Sequence, residues 1–556
     1  MTATQPSLLP QRTVDEFIIT IEKLMEEIQN LYCLDEIPWV IGYSGGKDST
    51  VILQLVWNAL SRLPIERRTK TVHVITTDTL VENPIVAAWV KESIRNIRKS
   101  AKEQQMPIEA HLLYPNFKDS FWVCLLGKGY PAPRPGFRWC TDRMKIQPVN
   151  FFIRDVIRTY GETIVVLGIR KAESFVRATR IEKYEAKRVR ERLSPNPCLP
   201  NSLIYSPIED WRTDEVWMYL MQWENPWGIN NKDLFSMYRG ATADNECPLV
   251  VDTSTPSCGS SRFGCWVCTM VNQDKSMEAM IQNDEEKEWL QPLLDIRNEL
   301  DLKDDRDRRD FRRIYGIVEL FERKVQTDDK QPVHQKDPRT KLEPIPGPYK
   351  KEWREYLLRR LLEAQVKVRK TAPPEMGEIT LIAPEELSEI RRIWLEEKHE
   401  FEDSLPRIYK EVTGEEFIDR RPEGDRTLLG IDEWSTLEEV TDKDSMEFEL
   451  LARLLNTERQ YQNKGSRSGI YDALSKCFKS SSREQEQAIQ HAHFKQAIKA
   501  AVLEGDVQKV ENIIKNPEKA DPNHPDNQSK PEPELPTQQL SLGWGDIKFS
   551  SSSESQ

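Results

Sequence analysis

Residues 39–61 read WVIGYSGGKDSTVILQLVWNALS, and this stretch decides the fold. Its first five residues are mostly apolar and have the length of a strand, whereas residues 49–60 carry the apolar spacing of an amphipathic helix. Two adjacent glycines between them allow a sharp turn with exposed backbone N–H groups, and the positive end of the helix dipole points to the same place. The sequence therefore predicts an anion-binding loop made of Ser44, Gly45, Gly46, Lys47, Asp48 and Ser49.

A Walker A loop would need a further glycine upstream and a Ser or Thr directly after the lysine, and residues 44–49 have neither. Residue for residue, this hexapeptide resembles the SGGxDS pyrophosphate loop of the ATP pyrophosphatases. That superfamily includes PAPS reductases, tRNA thiolation enzymes and NAD synthetases. The resemblance implies an adenine nucleotide alpha-hydrolase-like fold and cleavage of ATP to AMP and pyrophosphate. An ordinary glycine turn is the alternative, which the position between strand and helix disfavours.

Length and composition bound the class of protein. At 556 residues the chain is too long for one core, which predicts two or three domains. No apolar run approaches membrane-spanning length and no signal pattern opens the sequence, so we expect a cytoplasmic protein without a membrane partner. The nine cysteines should then be metal or redox ligands rather than disulfides. A net charge of −12 means that any nucleic-acid contact needs a local basic surface.

Segments of strand composition alternate with helical segments, which predicts a doubly wound parallel α/β sheet. Asp78 follows the second strand, where open α/β sheets bind nucleotides, so it is either an adenosine or Mg²⁺ contact or a helix-cap or turn residue. Helical spacing covers residues 12–32 and restarts at residue 84, and strands are expected at residues 71–77, 109–114 and 163–168.

Residues 127–145 form a predicted long loop, rich in glycine, proline and positive charge, of the kind that is often functional. Near its end Cys140 is followed by Lys145 and a proline, as in a segment of PAPS reductase-like proteins. Residues 168–174 resemble the GxRxxES segment of the same group. That resemblance implies that Arg170 faces a phosphate, a role that a guanidinium suits, and that the nucleotide also contacts Gly168, Glu173 and Ser174.

Positive charge recurs in residues 177–192, which hold seven lysines and arginines and few acids. We expect a helix there whose basic face follows a polyanionic substrate, although a solvated helix face is the alternative. Residues 207–217 resemble the strand-to-helix closure common in the superfamily.

Cys258, Cys265 and Cys268 fall within one short segment that contains a C-x-x-C pair. A fourth ligand must come from elsewhere, and Cys140 is the first candidate, with Cys247 second. Three interpretations stay open from the residues alone: a [4Fe–4S] cluster, a structural zinc ion, or a redox dithiol without metal. The resemblance to PAPS reductase-like proteins, some of which hold a cubane cluster here, favours the [4Fe–4S] cluster.

Beyond residue 300 the sequence becomes charge-dense and helical, so we expect three parts. They are a PAPS reductase-like ATP pyrophosphatase domain with the cysteine cluster (1–300), a mainly helical domain (301–515) and a disordered tail (516–556). Helical spacing is found at residues 304–324, 353–368, 386–397, 444–455 and 485–515.

Together with residues 347–355, these motifs resemble the sulfurtransferases of bacterial DNA phosphorothioation systems, the DndC family, over most of residues 12–370. The resemblance implies ATP- and Mg²⁺-dependent exchange of a DNA backbone oxygen for sulfur, with Lys47, Asp48 and Arg170 as catalytic residues. It also implies DNA, a cysteine desulfurase as sulfur donor, and the DndD and DndE subunits as partners. The alternatives are a PAPS/APS reductase, a tRNA or nucleotide thiolation enzyme, and a regulatory subunit with a structural zinc. Reductases are typically much shorter, and an intact loop disfavours a regulatory subunit.

Overall fold

The computed structural model describes residues 12–173, 175–190, 192–241, 264–313, 318–324, 340–398, 400, 402–420, 436–437, 439–441, 446–462, 467–481 and 485–517. The chain divides into two units, each described by itself below. The first consists of Met1–Asp310 and Pro346–Ser481, and the second of Phe311–Ile345 and Ser482–Gln556. The expected domain boundaries at residues 300 and 515 stay a prediction.

The first unit is built on a six-stranded sheet. Its strands are β1 (Trp39–Gly42), β2 (Val72–Thr77), β3 (Ile108–Leu113), β4 (Thr163–Val166), β5 (Leu193–Pro195) and β6 (Ser202–Tyr205). The order is β3-β2-β1-β4-β6-β5, and every pair is parallel except β5 with β6. The chain moves outward from β1 to β3 and returns to β4 on the other side of β1, which confirms the doubly wound prediction. Ligands in such sheets bind where the order reverses, between β1 and β4.

Helices cover both faces of this sheet. Val14–Leu34, Lys47–Ser61, Pro84–Glu103 and Thr213–Gln222 pack on one face in a single apolar cluster, and Gln147–Tyr160 packs on the other through Ile153 and Val156. The remaining helices of this part are Phe175–Glu185, Asn231–Gly240, Lys275–Asn283 and Gln291–Leu300.

The first helix shows why local sequence sets these bounds. Thr13 and Glu16 form a capping box, in which the Thr13 hydroxyl accepts from the Glu16 amide at 3.3 Å and the Glu16 carboxylate accepts from the Thr13 amide at 2.8 Å. Two otherwise unpaired amides are satisfied in this way, so the helix begins at Val14. The predicted helix over residues 12–32 is confirmed within two residues at each end.

Two expectations about the basic segments are wrong. Residues 127–145 are not one loop, because helical backbone begins at Trp139 and continues through the π-helical turn Asp142–Ile146 into Gln147–Tyr160. A π-turn changes the hydrogen-bond ladder just before Pro148, which has no amide hydrogen to donate. The basic helix ends at Glu185 and does not reach residue 192.

The arginines beyond that helix are paired with carboxylates. Arg188 and Arg192 both contact Glu209, at 2.7 and 2.8 Å, and Glu209 is 5% exposed. Arg190 contacts Asp35 at 3.0 Å. These pairings bind the segment to the sheet domain, so its arginines do not form the free basic face that we expected.

The described residues of this next segment, 304–313 and 318–324, do not form a helix either. A short 3₁₀ turn, Arg306–Arg308, is followed by extended backbone in which the Arg309 guanidinium donates to the carbonyl of Gly347 at 2.6 Å. The charge-dense pattern resembled a solvated helix, whereas contacts made across the chain fix an extended conformation.

The C-terminal region of the first unit is helical, as predicted. Its helices are Lys351–Thr371, Pro384–Arg392, Ser404–Thr413, Met446–Gln462 and Ile470–Ser481, and the π-helical turn Ile393–Glu397 extends the second of them. The first two pack against the π-helical turn Val123–Gly127.

Buried polar contacts fix this packing. The Trp122 indole donates to the carbonyl of Leu381 at 2.8 Å, and the Trp394 indole donates to that of Leu126 at 2.7 Å. The Ser120 hydroxyl donates to Glu386 at 2.5 Å. The segment after β3 and the C-terminal helices therefore share one core.

The second unit contains the antiparallel pair β7 (Leu320–Lys324) and β8 (Thr340–Pro344). It also contains the helices Gln485–Glu504 and Val507–Lys515, so the helical spacing over residues 485–515 predicted helix correctly but missed a break at Gly505, where φ is +73°. The predicted disordered tail lies outside the described residues beyond residue 517. No described helix combines the length and apolar composition that a membrane crossing requires.

Candidate active site

The loop between β1 and the helix Lys47–Ser61 needs glycine at Gly45. Its φ is +72°, and a Cβ there would lie 2.7 Å from the Cγ2 atom of Val90. The Trp89 indole donates to the Gly45 carbonyl at 3.1 Å and holds the turn. A left-handed backbone packed this closely excludes any side chain.

Two serines close the loop on itself. The Ser49 hydroxyl donates to the Gly46 carbonyl at 3.0 Å and accepts from the Ser44 amide at 3.1 Å. The loop is therefore shaped before any ligand binds. It lies at the N-terminus of a 15-residue helix, so the helix dipole favours an anion at this place.

Tyr238 is a site residue that the sequence did not suggest. Its hydroxyl accepts from the Lys47 amide at 3.4 Å, and the Lys47 ammonium lies 5.2 Å from the centre of its ring. Burial raises the pKa of Tyr238, so the phenol is neutral near pH 7 and supports the loop as a hydrogen-bonding wall. Tyr238 lies in the helix Asn231–Gly240, far along the chain, and only the tertiary fold brings it here.

Asp48 lies between two cations. Its carboxylate accepts from the Arg170 Nε at 2.7 Å and is 3.3 Å from the Lys47 ammonium. Arg170 is 2% exposed and also donates to the carbonyl of Trp211 at 3.2 Å and the hydroxyl of Thr213 at 3.3 Å. The expected site residues Lys47, Asp48 and Arg170 thus form one ion-paired group at the switch point, with Arg170 oriented to position Asp48.

The loop after β4 closes directly against the glycine loop. A Cβ on Gly168 would lie 3.0 Å from the backbone oxygen of Asp48, closer than most side chains approach, so this contact favours glycine. Glu173 lies nearby in the chain, in the short helix Lys171–Glu173. Ser174 lies outside the described residues.

Asp78 is a turn residue in the structure, as one of its two interpretations predicted. Its carboxylate accepts from the Leu80 amide at 2.9 Å, and Leu80 has a φ of +65°. The Lys91 ammonium is 3.4 Å away. Asp78 lies at the carboxyl end of β2, at the same edge of the sheet as the glycine loop. Its carboxylate already contacts the Leu80 amide and the Lys91 ammonium.

The cysteine segment lies beside the residues that follow β2. The Trp266 amide donates to the Val81 carbonyl at 3.0 Å, and Glu82 and Cys265 form an isolated β-bridge. The Thr79 hydroxyl is 3.4 Å from the Cys265 sulfur. The pairing brings Cys265 and Cys268 to the carboxyl edge of the sheet that also carries the glycine loop.

Cys140 joins this pair from the helical turn Trp139–Thr141. Burial raises the pKa of Cys140, and the nearby Cys268 raises it further. Burial also raises the pKa of Cys265 to about 12, with a further contribution from Glu82. Cys258 and Cys247 lie outside the described residues.

Lys145 supplies the positive charge of the cysteine site. Its ammonium is 3.5 Å from Glu82, and the proximity of Cys265 raises the pKa of Lys145 more than its burial lowers it. The positive charge of Lys145 in turn lowers the pKa of Cys265, although burial and Glu82 raise that pKa by more. Glu82 was not identified from the sequence, because it belongs to no motif and reaches the cysteines only through its pairing with the segment that contains Cys265.

Comparison with known proteins agrees with this geometry. Residues 38–270 match the sequence profile of the family described as phosphoadenosine phosphosulfate reductase domain. That range includes the glycine loop, Arg170, Cys140, Cys265 and Cys268, so the residues of the candidate site lie within the part of the chain that is similar to this family.

Individual relatives are more distant. An uncharacterized protein of Methanocaldococcus jannaschii is 28% identical over 204 residues, which make up 36% of this chain and 35% of that protein. The chain therefore matches about a third of the length of this curated relative.

Two solved structures have weak similarity. The U34-tRNA thiolase NcsA of Methanococcus maripaludis, solved with its [4Fe–4S] cluster, is 14% identical, with 52% of this chain and 81% of that chain covered and a TM-score of 0.24. The FMN adenylyltransferase of Candida glabrata is 13% identical, with 42% and 65% covered and a TM-score of 0.24.

Proposed function

We propose that this protein uses ATP to activate a backbone phosphate of DNA and then exchanges one of its non-bridging oxygens for sulfur. The observation that carries the proposal is the placement of a preformed anion loop, an Asp48–Arg170 pair and three cysteines along one edge of one sheet. Nucleotide activation and sulfur chemistry would then occur side by side.

In the first step, a non-bridging DNA oxygen attacks the α-phosphorus of ATP. The bond from that phosphorus to the bridging oxygen of the β-phosphate breaks, and pyrophosphate leaves with the electron pair. Backbone amides of the loop and the Lys47 ammonium offset the charge that develops on pyrophosphate. Asp48, held by Arg170 at 2.7 Å, would bind Mg²⁺, which would offset the negative charge of the phosphates.

In the second step, a sulfide-level nucleophile attacks the activated DNA phosphorus. The phosphorus–oxygen bond to AMP breaks, and AMP leaves with the oxygen that came from DNA, so the exchange needs no oxidant. When sulfur arrives as a persulfide from a cysteine desulfurase, an external thiol must reduce its S–S bond. Lys145, 3.5 Å from Glu82, would stabilise the anionic sulfur as it enters.

The cysteines fit an iron–sulfur cluster better than a single zinc ion. Four thiolates on one zinc lie about 3.8 Å apart, from Zn–S bonds of about 2.3 Å. In the described structure the sulfurs of Cys140, Cys265 and Cys268 do not all lie within 4.8 Å of one another. Cluster ligands bind different irons and are spaced more widely. We propose these three with Cys258 as the four ligands. A [4Fe–4S] cluster held by four thiolates would supply one-electron redox chemistry at this place.

The DNA contact must use positive charge that the protein does not already pair. Lys128 and Arg143 both contact Asp119, so they are neutralised locally. Arg138 and Lys187 are exposed, and neither has an ion pair with a described residue. We propose them as phosphate contacts, with base selection left to the DndD and DndE type of partner.

The test measures ATP cleavage and sulfur incorporation into DNA in the same reaction. Anaerobic protein would be incubated with Mg²⁺, ATP, duplex DNA, and a cysteine desulfurase with cysteine and thiol. AMP and pyrophosphate are then quantified, and nuclease-digested DNA is searched for phosphorothioate dinucleotides by mass spectrometry. We expect Asp48→Asn to reduce both products by at least about a hundredfold, as loss of a metal-positioning group does. Asp155→Asn, an exposed change on the opposite face, should leave both unchanged.

Two outcomes would refute the proposal. Formation of ADP and orthophosphate would show that the β–γ bond is cleaved and that the loop does not act as a pyrophosphate loop. Sulfur incorporated into tRNA but not into DNA would assign the same activation chemistry to a thiolase.

A further inference from the structure

A second convergence of ligand atoms lies outside the site described above, on β2 and β3. In the parallel register His73 pairs with Glu109, and Ile75 pairs with His111. Residues in register, and those two positions along, share a face of the sheet, so His73, Glu109 and His111 project from the same face. One ligand atom from each lies within 4.8 Å of both others.

The individual distances match those of a single bound ion. His73 Nδ1 is 3.2 Å from His111 Nε2 and 3.7 Å from Glu109 Oε2, and the latter two atoms are 3.8 Å apart. Nitrogen and oxygen ligands of tetrahedral zinc lie about 2.0–2.1 Å from the metal, and therefore about 3.4 Å from one another. All three separations lie within about 0.4 Å of that value.

The surroundings hold the two imidazoles and leave one side open. The Phe152 ring contacts both, with ring centroids 5.5 Å from His73 and 4.8 Å from His111. The His73 side chain is 11% exposed, whereas that of Glu109 is 61% exposed. An ion would enter past Glu109, and a water molecule would complete its coordination from the same side. Burial lowers the pKa of both histidines and so favours the neutral imidazole, the form that binds metals.

We propose that His73, Glu109 and His111 bind one Zn²⁺ ion. Two imidazoles and one carboxylate suit a borderline divalent cation, whereas Mg²⁺ and Ca²⁺ prefer oxygen ligands. The site is separate from the cysteines, which offer only sulfur, and it does not depend on the proposed function. Because β3 is an edge strand, an ion bound to both strands ties that edge to the sheet.

Cobalt(II) titration of chelator-treated full-length protein distinguishes this site from the cysteines. Cobalt bound by nitrogen and oxygen gives visible d–d bands without the intense near-ultraviolet band of thiolate ligation. We expect one equivalent of Co²⁺ with that sulfur-free signature, displaced by Zn²⁺. We expect His111→Gln and Glu109→Gln each to weaken the binding by at least about tenfold.

Matched controls separate loss of ligands from loss of fold. His491→Gln, in the second unit, and Glu103→Gln, an exposed glutamate at the end of the preceding helix, should bind Co²⁺ like the wild type. Circular dichroism should be unchanged in His111→Gln and Glu109→Gln, whose side chains are partly exposed. Equal Co²⁺ affinity in these variants and the wild type would overturn the proposal. A titration that shows only sulfur ligation would overturn it as well.

Discussion

Replacing Glu386 by glutamine should remove a pH-dependent loss of stability from the first unit. Glu386 is 3% exposed and accepts hydrogen bonds from the Ser120 hydroxyl at 2.5 Å and from the Ala383 amide at 2.9 Å. Burial raises its pKa to about 7, although these two hydrogen bonds oppose the rise. An amide keeps the shape of the neutral acid, accepts from Ala383 and donates to Ser120.

The magnitude follows from the two pKa values. The difference between 4.5 in an exposed carboxyl and about 7 in the folded protein corresponds to about 3 kcal/mol. Because the folded pKa is the higher one, the stabilisation is fully present below pH 4.5 and is lost as the pH rises through 7. Between about pH 5 and pH 8, the wild type should therefore lose about 2.5 kcal/mol relative to the glutamine variant.

Urea unfolding followed by tryptophan fluorescence, at four pH values across this range, measures the difference between Glu386→Gln and wild type. That difference should grow with pH in favour of the variant. Glu375→Gln, an exposed change in the 3₁₀ turn Pro374–Met376, should show no such growth. A Glu386→Gln difference that stays constant from the lowest to the highest pH would show that Glu386 does not titrate in this range and would refute the reasoning.

Two further predictions concern stability and the site. Gly168→Ala should destabilise the protein by about 2 kcal/mol and weaken ATP binding, because its Cβ would press on the backbone oxygen of Asp48; unchanged thermal unfolding and nucleotide affinity would contradict this. Arg192→Ala should lower stability by about 2 kcal/mol, since it leaves Glu209 buried with one fewer partner, and DNA binding measured by fluorescence anisotropy should not change. Weaker DNA binding of Arg192→Ala at unchanged stability would show instead that Arg192 contacts DNA.

The sheet domain could be predicted because its signals are local. A strand, a glycine pair and an amphipathic helix follow one another in residues 39–61, and each is read from neighbouring positions. Gly45 was predicted to allow a sharp turn, and Gly168 was recognised as part of a motif. The atoms that impose it, in Val90 and in the Asp48 backbone, belong to other segments and are known only from the fold.

The errors share a physical cause. Residues 177–192 and 304–324 carry dense charge with helical spacing, and in both the structure pairs arginines with groups distant in sequence. Arg192 pairs with Glu209, and Arg309 donates to the Gly347 carbonyl. These contacts determine the backbone conformation of the two segments. In the same way, His73 and His111 gained significance only when the register of β2 and β3 placed them together. Interactions between segments override local periodicity where charge is buried.

The core that the segment after β3 shares with the C-terminal helices also reaches the segment that contains Cys265 and Cys268. Trp122, whose indole donates to Leu381, also packs on Trp266 with ring centroids 5.7 Å apart. Trp266 stands between Cys265 and Cys268 in the sequence. Any displacement of the C-terminal helices would therefore move a large rigid ring that packs beside Cys265 and Cys268, so the two regions are mechanically coupled through two tryptophans.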